Sequence, residues 1–522
     1  MADGLLNKAS IILTPTGYKA GTLYNVAPVV EPYEDFDFSR ASVASRVNSS
    51  GLVEMVGRTL GSEFVTNEDF SNGLNNWTTN TATESGGVVT IPNNGYIFQT
   101  INFPDSGTIK IQVEGSGTVK YRLGVTSPSG SFITKTLPFT AYEDLNSTDV
   151  RIQLNNTSGS DITVTSVSVK EIIDTNNIPR ISYDSNGDNG HILLEPTSTN
   201  LLPYSEDFTQ GWAVSDATIT PNSITSPSGQ DNASTLTTSA SGGTVQETLT
   251  ISDGDLTFSL FVRKGTTNGV RLRIDAATDV NGYFNIDDGT IFSQTDDAKI
   301  EVINADWYRV SISASVTSFV KASIYTTDGT TSYDNGTVYI WGGQLEALSY
   351  ATSYIPTLTG SQEIRATETA TGAGSADLIN STEGVLYAEI ESLANDTTNR
   401  YITLTNGTSN ERVALLLGAN DNQLRAIIFS ATQGINISFS TSATSSLQFN
   451  KLAVRYKSGE YAFYINGNPI GTDTNTNIFT SNTLNDFSLN VGGGSLPFYG
   501  KVKALAVFNE SLSDAELNNL TG

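Results

Sequence analysis

Hydrophobic and polar residues alternate over short stretches along most of the chain. Ile109, Ile111 and Val113 are separated by polar residues, for example. Asn-Gly, Asp-Gly, Ser-Gly and Gly-Gly pairs interrupt such stretches about every ten residues, a spacing typical of antiparallel sandwiches. The spacing of three to four residues that marks an amphipathic helix is nearly absent. The pattern therefore predicts an all-β protein with several antiparallel β-sandwich domains.

Two elements near the C-terminus are predicted in more detail. Alternation over residues 452–456 and again over residues 461–465 predicts a hairpin, and the Asn466-Gly467 pair that follows predicts a type I′ turn. Ser513 and Glu516 have the spacing of a capping box and lead into an apolar stretch. We therefore expect one short C-terminal helix.

An internal repeat indicates two copies of one sandwich. Residues 68–77 (EDFSNGLNNW) match residues 206–212 (EDFTQGW), and each match opens a segment that closes on a β-branched strand. The closing strands, residues 162–169 and 338–345, change alternation phase midway, as a β-bulge requires. The economical interpretation is two related sandwich domains.

The strand-like segments on both sides of the first copy predict that one domain is inserted into another. The predicted organisation has residues 1–60 as an N-terminal arm and base continued by residues 174–200, residues 61–173 as the inserted sandwich, residues 201–357 as the second sandwich, residues 358–377 as a Thr/Gly/Ala/Ser-rich linker, and residues 378–522 as a third sandwich.

Composition narrows the classes of partner. The 522 residues include 28 Lys and Arg against 54 Asp and Glu, a formal net charge of −26. Nucleic acids and anionic membranes bind proteins through basic residues, so this charge argues against both. No stretch approaches the roughly 20 apolar residues of a membrane span, and residues 1–8 lack the pattern of a signal peptide. With no cysteine, the chain forms no disulfide and no thiolate metal site.

Several short motifs resemble those of structural proteins of tailed bacteriophages, namely surface fibre, tail or head-decoration proteins. These motifs are FSRAS (38–42), PRISY (179–183), LLEPTSTNLL (193–202), YSEDF (204–208), DWYRVS (306–311), WGGQLE (341–346) and ATSYIPT (351–357). The resemblance implies carbohydrate-binding-module-like jelly rolls at residues 61–173 and 201–357. By analogy, it also implies that residues 8–28 form an arm that docks on other virion proteins.

The C-terminal segment is similar to the concanavalin A-like, laminin-G-like domain that often follows such modules. The matching motifs are KLAVRYK (451–457), FYING (463–467), GKVKALAVF (500–508) and LSDAEL (512–517). The resemblance therefore implies a concanavalin A-like sandwich at residues 378–522.

One loop is a candidate calcium site. Asp184, Asn186, Asp188 and Glu195 place oxygen ligands at positions 1, 3, 5 and 12 of a calcium loop. Asn189 stands where such a loop has glycine, and an Asn/Asp/Gly-rich hairpin turn accounts for the same residues. Structural calcium is thus the single cofactor that the sequence leaves open. The resemblance nominates a second set of calcium ligands, Glu68, Asp69, Glu206 and Asp207.

Candidate catalytic residues are scarce. The one histidine, His191, lies at a predicted turn-to-strand junction, where a structural role is favoured over a catalytic one. No pair of carboxylates stands out among the acidic residues. We predict that the protein is not an enzyme, with polysaccharide depolymerase as the enzyme-class alternative.

Two regions combine aromatic rings with hydrogen-bonding side chains, as sugar binding requires. The first region holds Tyr283, Phe284, Asn285, Asp287 and Asp288, and the second holds Phe498 and Tyr499 beside Asn485 and Asp486. An Asp-Gly hairpin and a core phenylalanine explain the same residues. The four tryptophans are expected to pack in cores or strands.

The predicted function is a virion-surface fibre protein that is docked by its N-terminus and binds glycans of the host, mucus or polysaccharide. We expect it to be assembled in the bacterial cytoplasm and displayed on the particle. The alternative is a structural head-fibre or decoration protein without a ligand. We also predict a homotrimer formed through residues 1–60 and 174–200, where Arg40, Arg46, Arg58 and Arg180 concentrate positive charge. Pairing with Asp35 and Asp37 is the alternative for those arginines.

Overall fold

The computed structural model describes residues 4–27, 34–104, 106–123, 132–145, 151–240 and 242–522. Strands dominate these ranges and one α-helix ends the chain, which confirms the all-β class predicted from the alternation pattern. The strands form three large β-sandwich units, with small sheets between them. No helix in the described part of the chain has the length and apolar character needed to cross a membrane.

The strand bounds follow the chain in order. The N-terminal part contains a 3-10 turn (Leu6–Lys8) and β1 (Ala9–Leu13), β2 (Tyr18–Lys19), β3 (Thr22–Leu23), β4 (Phe36–Ser39), β5 (Ala44–Val47) and β6 (Val53–Val56). The next unit contains β7 (Arg58–Glu63), β8 (Thr78–Asn80), β9 (Thr83–Ser85), β10 (Val88–Ile91), β11 (Tyr96–Thr100), β12 (Gly107–Leu123), β13 (Ile133–Leu145), β14 (Arg151–Asn155) and β15 (Ile162–Asp174). Three short strands follow, β16 (Ile181–Ser182), β17 (His191–Leu194) and β18 (Ser198–Asn200).

The remaining strands form the second sandwich and most of the C-terminal domain. It continues with β19 (Ala213–Ser215), β20 (Ala217–Ile224), β21 (Ala233–Thr238), β22 (Thr244–Thr248), β23 (Gly254–Lys264), β24 (Gly269–Asp275), β25 (Val280–Asn285), β26 (Thr290–Gln294), β27 (Asp297–Val302), β28 (Tyr308–Val316), β29 (Lys321–Thr327) and β30 (Gly336–Glu346). The last strands are β31 (Glu363–Arg365), β32 (Thr369–Thr371), β33 (Glu383–Glu391), β34 (Arg400–Thr405), β35 (Glu411–Leu417), β36 (Leu424–Ser430), β37 (Ile435–Thr441), β38 (Asn450–Lys457), β39 (Tyr461–Ile465), β40 (Asn468–Asp473), β41 (Asp486–Ser488) and β42 (Gly500–Phe508), before helix α1 (Asp514–Thr521).

The first sandwich, residues 58–174, is a nine-stranded sheet with the order β8-β11-β14-β12-β15-β10-β9, extended by β13 on β12 and by β7 on β15. Its core contains Ile111, Ile152 and Val167, because these positions alternate inward along their strands. Trp77 packs in the same core. The register of β15 against β12 shifts once, so the predicted bulge in this closing strand is present.

The second sandwich, residues 201–357, packs the sheet β19-β22-β29-β24-β25-β26 against the sheet β20-β21-β30-β23-β28-β27. Leu272, Phe258 and Ile324 lie fully buried between the two sheets, together with Trp212. The closing strand β30 again has a register shift against β23, as predicted. The repeat in the sequence therefore corresponds to a repeat of strand arrangement.

The C-terminal domain packs the sheet β16-β17-β42-β33-β38-β39-β40, with β1 also on β42, against the sheet β37-β36-β35-β34-β41. The predicted turn is present, since Asn466 and Gly467 have φ of 49° and 76°, both in the left-handed region that a type I′ turn needs. The predicted capping box is also present. The Ser513 side chain accepts from the Glu516 backbone N–H, and the Glu516 side chain accepts from the Ser513 backbone N–H.

The predicted base is not a separate unit in the structure. β1 pairs with Leu505–Phe508 of β42, and β17 pairs with Gly500–Val502 of the same strand. The segment predicted as a docking arm begins within the C-terminal domain, while its docking on other virion proteins stays a prediction. Its first residues form β1, all five of which are buried, because their apolar side chains complete the C-terminal core. Pro28, the end of that predicted arm, lies outside the described residues.

The predicted linker, residues 358–377, is also corrected. It contains β31, which pairs with β18, and β32, which pairs with β4. Ala370 and Ala373 are fully buried in the C-terminal core. The small residues that suggested flexibility instead permit close packing between strands.

The arginines predicted for the trimer contact have partners within the chain, and these partners are not Asp35 or Asp37. Arg46 pairs with Glu54 and Arg58 with Asp174. Arg40 and Arg180 are fully buried and contact Glu368. The carboxylate that compensates these fully buried charges is Glu368, and not an aspartate near Arg40 in sequence.

Candidate functional site

The six-stranded sheet that contains β24 presents arginine and tyrosine side chains on its outer face. Val270, Leu272 and Ile274 of β24 point into the core, so Arg271 and Arg273 between them point outward. Arg271 is opposite Tyr283 of β25 and Tyr325 of β29 in the strand register. We call Arg271, Asn281, Tyr283, Tyr325 and Tyr333 the arginine–tyrosine face.

Arg271 lies among three aromatic rings. Its guanidinium carbon is 5.2 Å from the ring centre of Tyr283, 5.0 Å from that of Tyr325 and 5.7 Å from that of Tyr333. Nε and Nη2 donate to Asn281 Oδ1 at 3.1 and 2.6 Å, and Nη1 donates to the Tyr333 hydroxyl. Among the described residues, its hydrogen-bond partners are thus neutral, so these hydrogen bonds do not compensate the positive charge of the guanidinium.

The hydrogen bonds of Arg271 do not use all of its N–H groups. An arginine has five N–H groups, so the three hydrogen bonds leave one N–H on each Nη of Arg271. Tyr333 is 37% exposed, although Arg271 is only 7% exposed. A partly exposed ring beside a held cation can stack on the C–H face of a sugar while N–H groups bind its oxygens.

Two other basic side chains, Arg273 and Lys321, lie at the edge of the arginine–tyrosine face. Arg273 pairs with Asp275 at 2.7 Å and with Asp279 at 2.6 Å. Lys321 donates to Gln246 at 2.6 Å. Arg273 is thus paired with carboxylates, whereas the hydrogen-bond partners of Arg271 are neutral.

Only part of the first predicted glycan region lies on the arginine–tyrosine face. Tyr283 belongs to it, but Phe284 is 0% exposed because the next position along β25 points into the core. Phe284 is therefore corrected from a sugar contact to a core residue. Asp287 and Asp288 lie in the turn after β25, where Asp287 pairs with Lys264 and Asp288 accepts from Thr290 at 2.6 Å.

The second predicted glycan region is not brought together as a site. Phe498 is 1% exposed and packs in the C-terminal core, which corrects its predicted role. The Tyr499 hydroxyl is hydrogen-bonded to Thr367 at 2.7 Å, and its ring faces Arg400. Asp486 accepts from Ser488, and burial raises the pKa of its carboxyl.

The predicted calcium loop has a different structure. Asp184 Oδ1 accepts from the backbone N–H of Asn186 at 3.0 Å and of Asp188 at 2.9 Å, which is the hydrogen bonding of an Asn/Asp-rich turn. The hydrogen bond from Asn189 lowers the pKa of Asp184. Glu195 is away from this loop and contacts Arg180 at 2.8 Å and Arg365 at 2.9 Å. Glu195 is therefore corrected from a loop ligand to a partner of buried arginines.

The calcium ligands implied by resemblance are divided between the two sandwiches. Asp69 accepts from the Ser71 backbone N–H, and Asp207 pairs with Lys135. Glu206 accepts from Tyr354 at 3.1 Å and from Asn232 at 2.8 Å. Glu68 contributes its carbonyl to the Val167 N–H. In the described ranges, no three His, Asp or Glu side chains are grouped so that they could hold a metal ion.

His191 is buried beside a large cleft. Burial lowers its pKa to about 4, so the ring is neutral at neutral pH. The cleft, of about 1160 Å³, lies between the second sandwich and the C-terminal domain. Its lysines already have partners, since Lys501 pairs with Glu391 at 2.5 Å, Lys299 pairs with Glu301 at 2.6 Å, and Lys503 lies 4.0 Å from the Phe449 ring centre. The cleft is therefore a weaker candidate than the arginine–tyrosine face.

Sequence reasoning missed four of the five residues in the arginine–tyrosine face: Arg271, Asn281, Tyr325 and Tyr333. A local signal for one of them was present. Arg271 alternates with Val270 and Leu272, which identifies an outward position on a half-buried strand. The contact of Tyr333 with Arg271 has no such signal, because the two residues are 62 positions apart.

Comparison with known proteins identifies the fold of one domain. Residues 386–518 match the model of the concanavalin A-like lectin/glucanases superfamily, so the C-terminal sandwich is concanavalin A-like. No curated protein matches the chain.

Some solved structures are similar over part of the chain. The CBM40 of a Ruminococcus gnavus IT-sialidase, bound to α2,3-sialyllactose, is 19% identical over 29% of this chain and 94% of its own, with a TM-score of 0.25. Domain 4 of the arabinanase AbnA from Geobacillus stearothermophilus, in complex with arabinotriose, is 15% identical over 30% of this chain and 73% of its own, with a TM-score of 0.21. Domains LG4-5 of the mouse laminin α1 chain are 9% identical over 51% of this chain and 86% of their own, with a TM-score of 0.20. The sugars in those complexes are ligands of those proteins.

Proposed function

We propose that this chain is a non-enzymatic glycan-binding protein whose ligand contacts the arginine–tyrosine face of the second sandwich. One observation carries the proposal, namely a positively charged Arg271 held among three tyrosine rings, of which Tyr333 is exposed, on the outer side of its sheet. Stacking on a tyrosine supplies affinity, and the arginine N–H groups select oxygen atoms of the sugar. A C-terminal domain of concanavalin A-like fold accords with this function.

We further propose that the protein is displayed on the surface of a tailed-bacteriophage particle, where it attaches to other virion proteins and to environmental or host glycans. The support for this setting is the resemblance of the sequence motifs. Repeated weak binding on an oligomeric particle suits such a role, because several linked sites bind more tightly than one.

A glycan array probed with the full chain tests the binding proposal. We expect binding to a subset of bacterial polysaccharides or mucin glycans. Tyr333→Ala should weaken that binding by about tenfold, equivalent to about 1.4 kcal/mol, because the exposed ring is lost. Arg271→Gln should weaken it similarly.

Arg425→Gln is the matched control. Arg425 lies on an exposed sheet face of the C-terminal domain and donates to Ser438 at 3.2 Å. This variant should bind as the parent does. An array without signal, or a Tyr333→Ala variant that binds as tightly as the parent, contradicts the proposal.

A further inference from the structure

The two sandwiches contain one shared strand arrangement. The order β8-β11-β14-β12 in the first corresponds to β19-β22-β29-β24 in the second. β8 begins directly after Trp77 and β19 directly after Trp212, the tryptophans that end the two matching sequence segments. The two sets of strands can therefore be aligned residue by residue through their pairing registers.

One row of paired residues can be followed across the four strands of each sandwich. Thr78, which follows Trp77, pairs with Phe98, and Phe98 pairs with Gln153, which pairs with Arg122. In the second sandwich the same path runs from Ala213 through Gln246 and Ser323 to Arg273. Arg122 therefore occupies the position of Arg273.

Two further basic residues coincide in this alignment. Lys120, two residues before Arg122 on β12, occupies the position of Arg271 on β24. Arg151, paired with Thr100, occupies the position of Lys321, paired with Thr248. The same three outward positions are thus basic in both sandwiches, in a chain with only 28 Lys and Arg and a net charge of −26.

The outer face of the first sandwich also carries aromatic rings. We call Tyr96, Phe98, Lys120, Arg122, Phe132 and Arg151 the first basic face. The Arg122 guanidinium lies 4.5 Å from the Phe132 ring centre, and that of Arg151 lies 4.8 Å from the Phe98 ring centre. Tyr96 and Phe98 stack with their ring centres 6.2 Å apart.

Arg122 is less neutralised than Arg273, the residue at the same position of the second sandwich. Arg273 has two carboxylate partners, whereas Arg122 donates twice to the neutral Gln153, at 3.2 and 3.0 Å. Across the described residues, no carboxylate forms an ion pair with Lys120 or Arg122. Burial and the nearby charge of Arg151 lower the pKa of Arg122, as expected where cations face one another.

We propose that the first basic face is a second glycan site, which binds a polysaccharide that carries carboxylate or sulfate groups. The inference rests on the proposed glycan-binding function and extends it to a second site with its own ligand chemistry. Three cations beside stacked aromatic rings suit a polymer that alternates anionic groups with sugar faces. A nucleic acid is the less favoured polyanion, because its binding rests on many Lys or Arg contacts to phosphates and this face supplies three basic residues.

The experiment measures binding of the full chain to four probes: polygalacturonate, dextran sulfate, neutral dextran and a single-stranded DNA oligonucleotide. We expect binding to polygalacturonate, to dextran sulfate or to both, and these two arms distinguish the carboxylate from the sulfate source. Affinity should fall as salt is raised, because charge contacts are screened. The triple variant Lys120→Gln, Arg122→Gln, Arg151→Gln should lose about tenfold or more in affinity, or about 1.4 kcal/mol.

Three further variants keep the result interpretable. Lys120→Arg retains the charge at a position without a bidentate contact in the described part of the chain, and should stay within about threefold of the parent. Lys120→Gln alone replaces the triple variant if thermal melting shows that the triple variant is unfolded. Arg425→Gln again serves as the control that leaves binding unchanged.

Two results would overturn the inference: equal binding of the triple variant and the parent, or binding of neutral dextran or DNA as tight as that of the anionic polysaccharides. Failure of the proposed function is distinguishable. In that case Tyr333→Ala has no effect on any glycan, while the triple variant still loses its anionic ligand.

Discussion

At the scale of single residues, Glu247 and Gln99 occupy the same position in the two sandwiches. Gln246 and Phe98, which precede them, pair with the first residues of β19 and β8. Gln99 exchanges two hydrogen bonds of 2.8 Å with the Thr66 backbone. Glu247 is 5% exposed, and its Oε2 has no hydrogen-bond partner among the described residues. Burial raises its pKa to about 7.

This shift makes stability depend on pH. The folded state holds the Glu247 proton more tightly than the unfolded state, whose pKa is near 4.5. The protonated Glu247 side chain therefore makes its full contribution to the free energy of unfolding below about pH 4.5. This contribution is lost as pH rises through about 7.

We predict that Glu247→Gln stabilises the protein at pH 8 by about 2 kcal/mol and has little effect at pH 4, because a neutral amide has no charge to desolvate. Thermal melting at both pH values measures the difference. The converse substitution, Gln99→Glu, should destabilise the first sandwich more at pH 8 than at pH 4. A Glu247→Gln variant that melts below the parent at pH 8 contradicts the assignment.

At the scale of elements, one edge of β42 is covered by two strands from distant parts of the chain. β17 pairs with its first residues and β1 with its last. An uncovered strand edge presents free N–H and C=O groups that pair with other chains. β1 thus acts as an edge cover for the concanavalin A-like domain.

We predict that deletion of residues 1–13, which removes β1, causes concentration-dependent self-association, because the Leu505–Phe508 edge is then bare. Light scattering measures the mass of each variant. Deletion of residues 1–8 keeps β1 and is the matched control, which should have the mass of the full chain. That mass also tests the predicted homotrimer, which stays a prediction. A variant without β1 that matches the control contradicts the role of the edge.

At the scale of the whole molecule, a buried ionic cluster joins segments from across the chain. Arg40, Arg180 and Arg365 surround Glu195 and Glu368, with contacts of 2.6 Å from Arg40 to Glu368 and 2.9 Å from Arg365 to Glu195. All five side chains are 3% exposed or less. Three of the motifs that resemble phage proteins supply Arg40, Arg180 and Glu195, so those motifs have a structural role here.

The first sandwich is attached at a narrow connection. The Thr175 N–H donates to the Gly57 carbonyl at 2.7 Å where the chain enters and leaves this unit. Lys135 of the first sandwich pairs with Asp207 of the second. The two glycan faces that we propose are therefore carried by neighbouring units.

We predict that a cryo-EM map of the phage particle shows this chain on its surface, as three linked sandwiches. Density on the capsomers would favour the head-fibre or decoration role, and density on the tail or baseplate would favour host attachment. A particle whose map and protein content lack the chain would contradict the virion setting.

The sequence by itself determined the features that depend on neighbouring residues. Alternation predicted the strands, the Asn466-Gly467 pair predicted a type I′ turn, and Ser513 with Glu516 predicted a capped helix. These features follow from backbone geometry and local hydrogen bonds, which act over a few positions. The repeat likewise predicted two related sandwiches.

Only the tertiary structure decided which distant groups meet. Arg40 and Glu368 are 328 positions apart, and nothing local to Arg40 indicates that partner. The alternation shows that Arg271 points outward, but strand register alone places Tyr283 and Tyr325 beside it. A shift of one residue in a strand would turn these side chains to the opposite face, so the candidate sites depend on a register that is set by packing of the whole sheet.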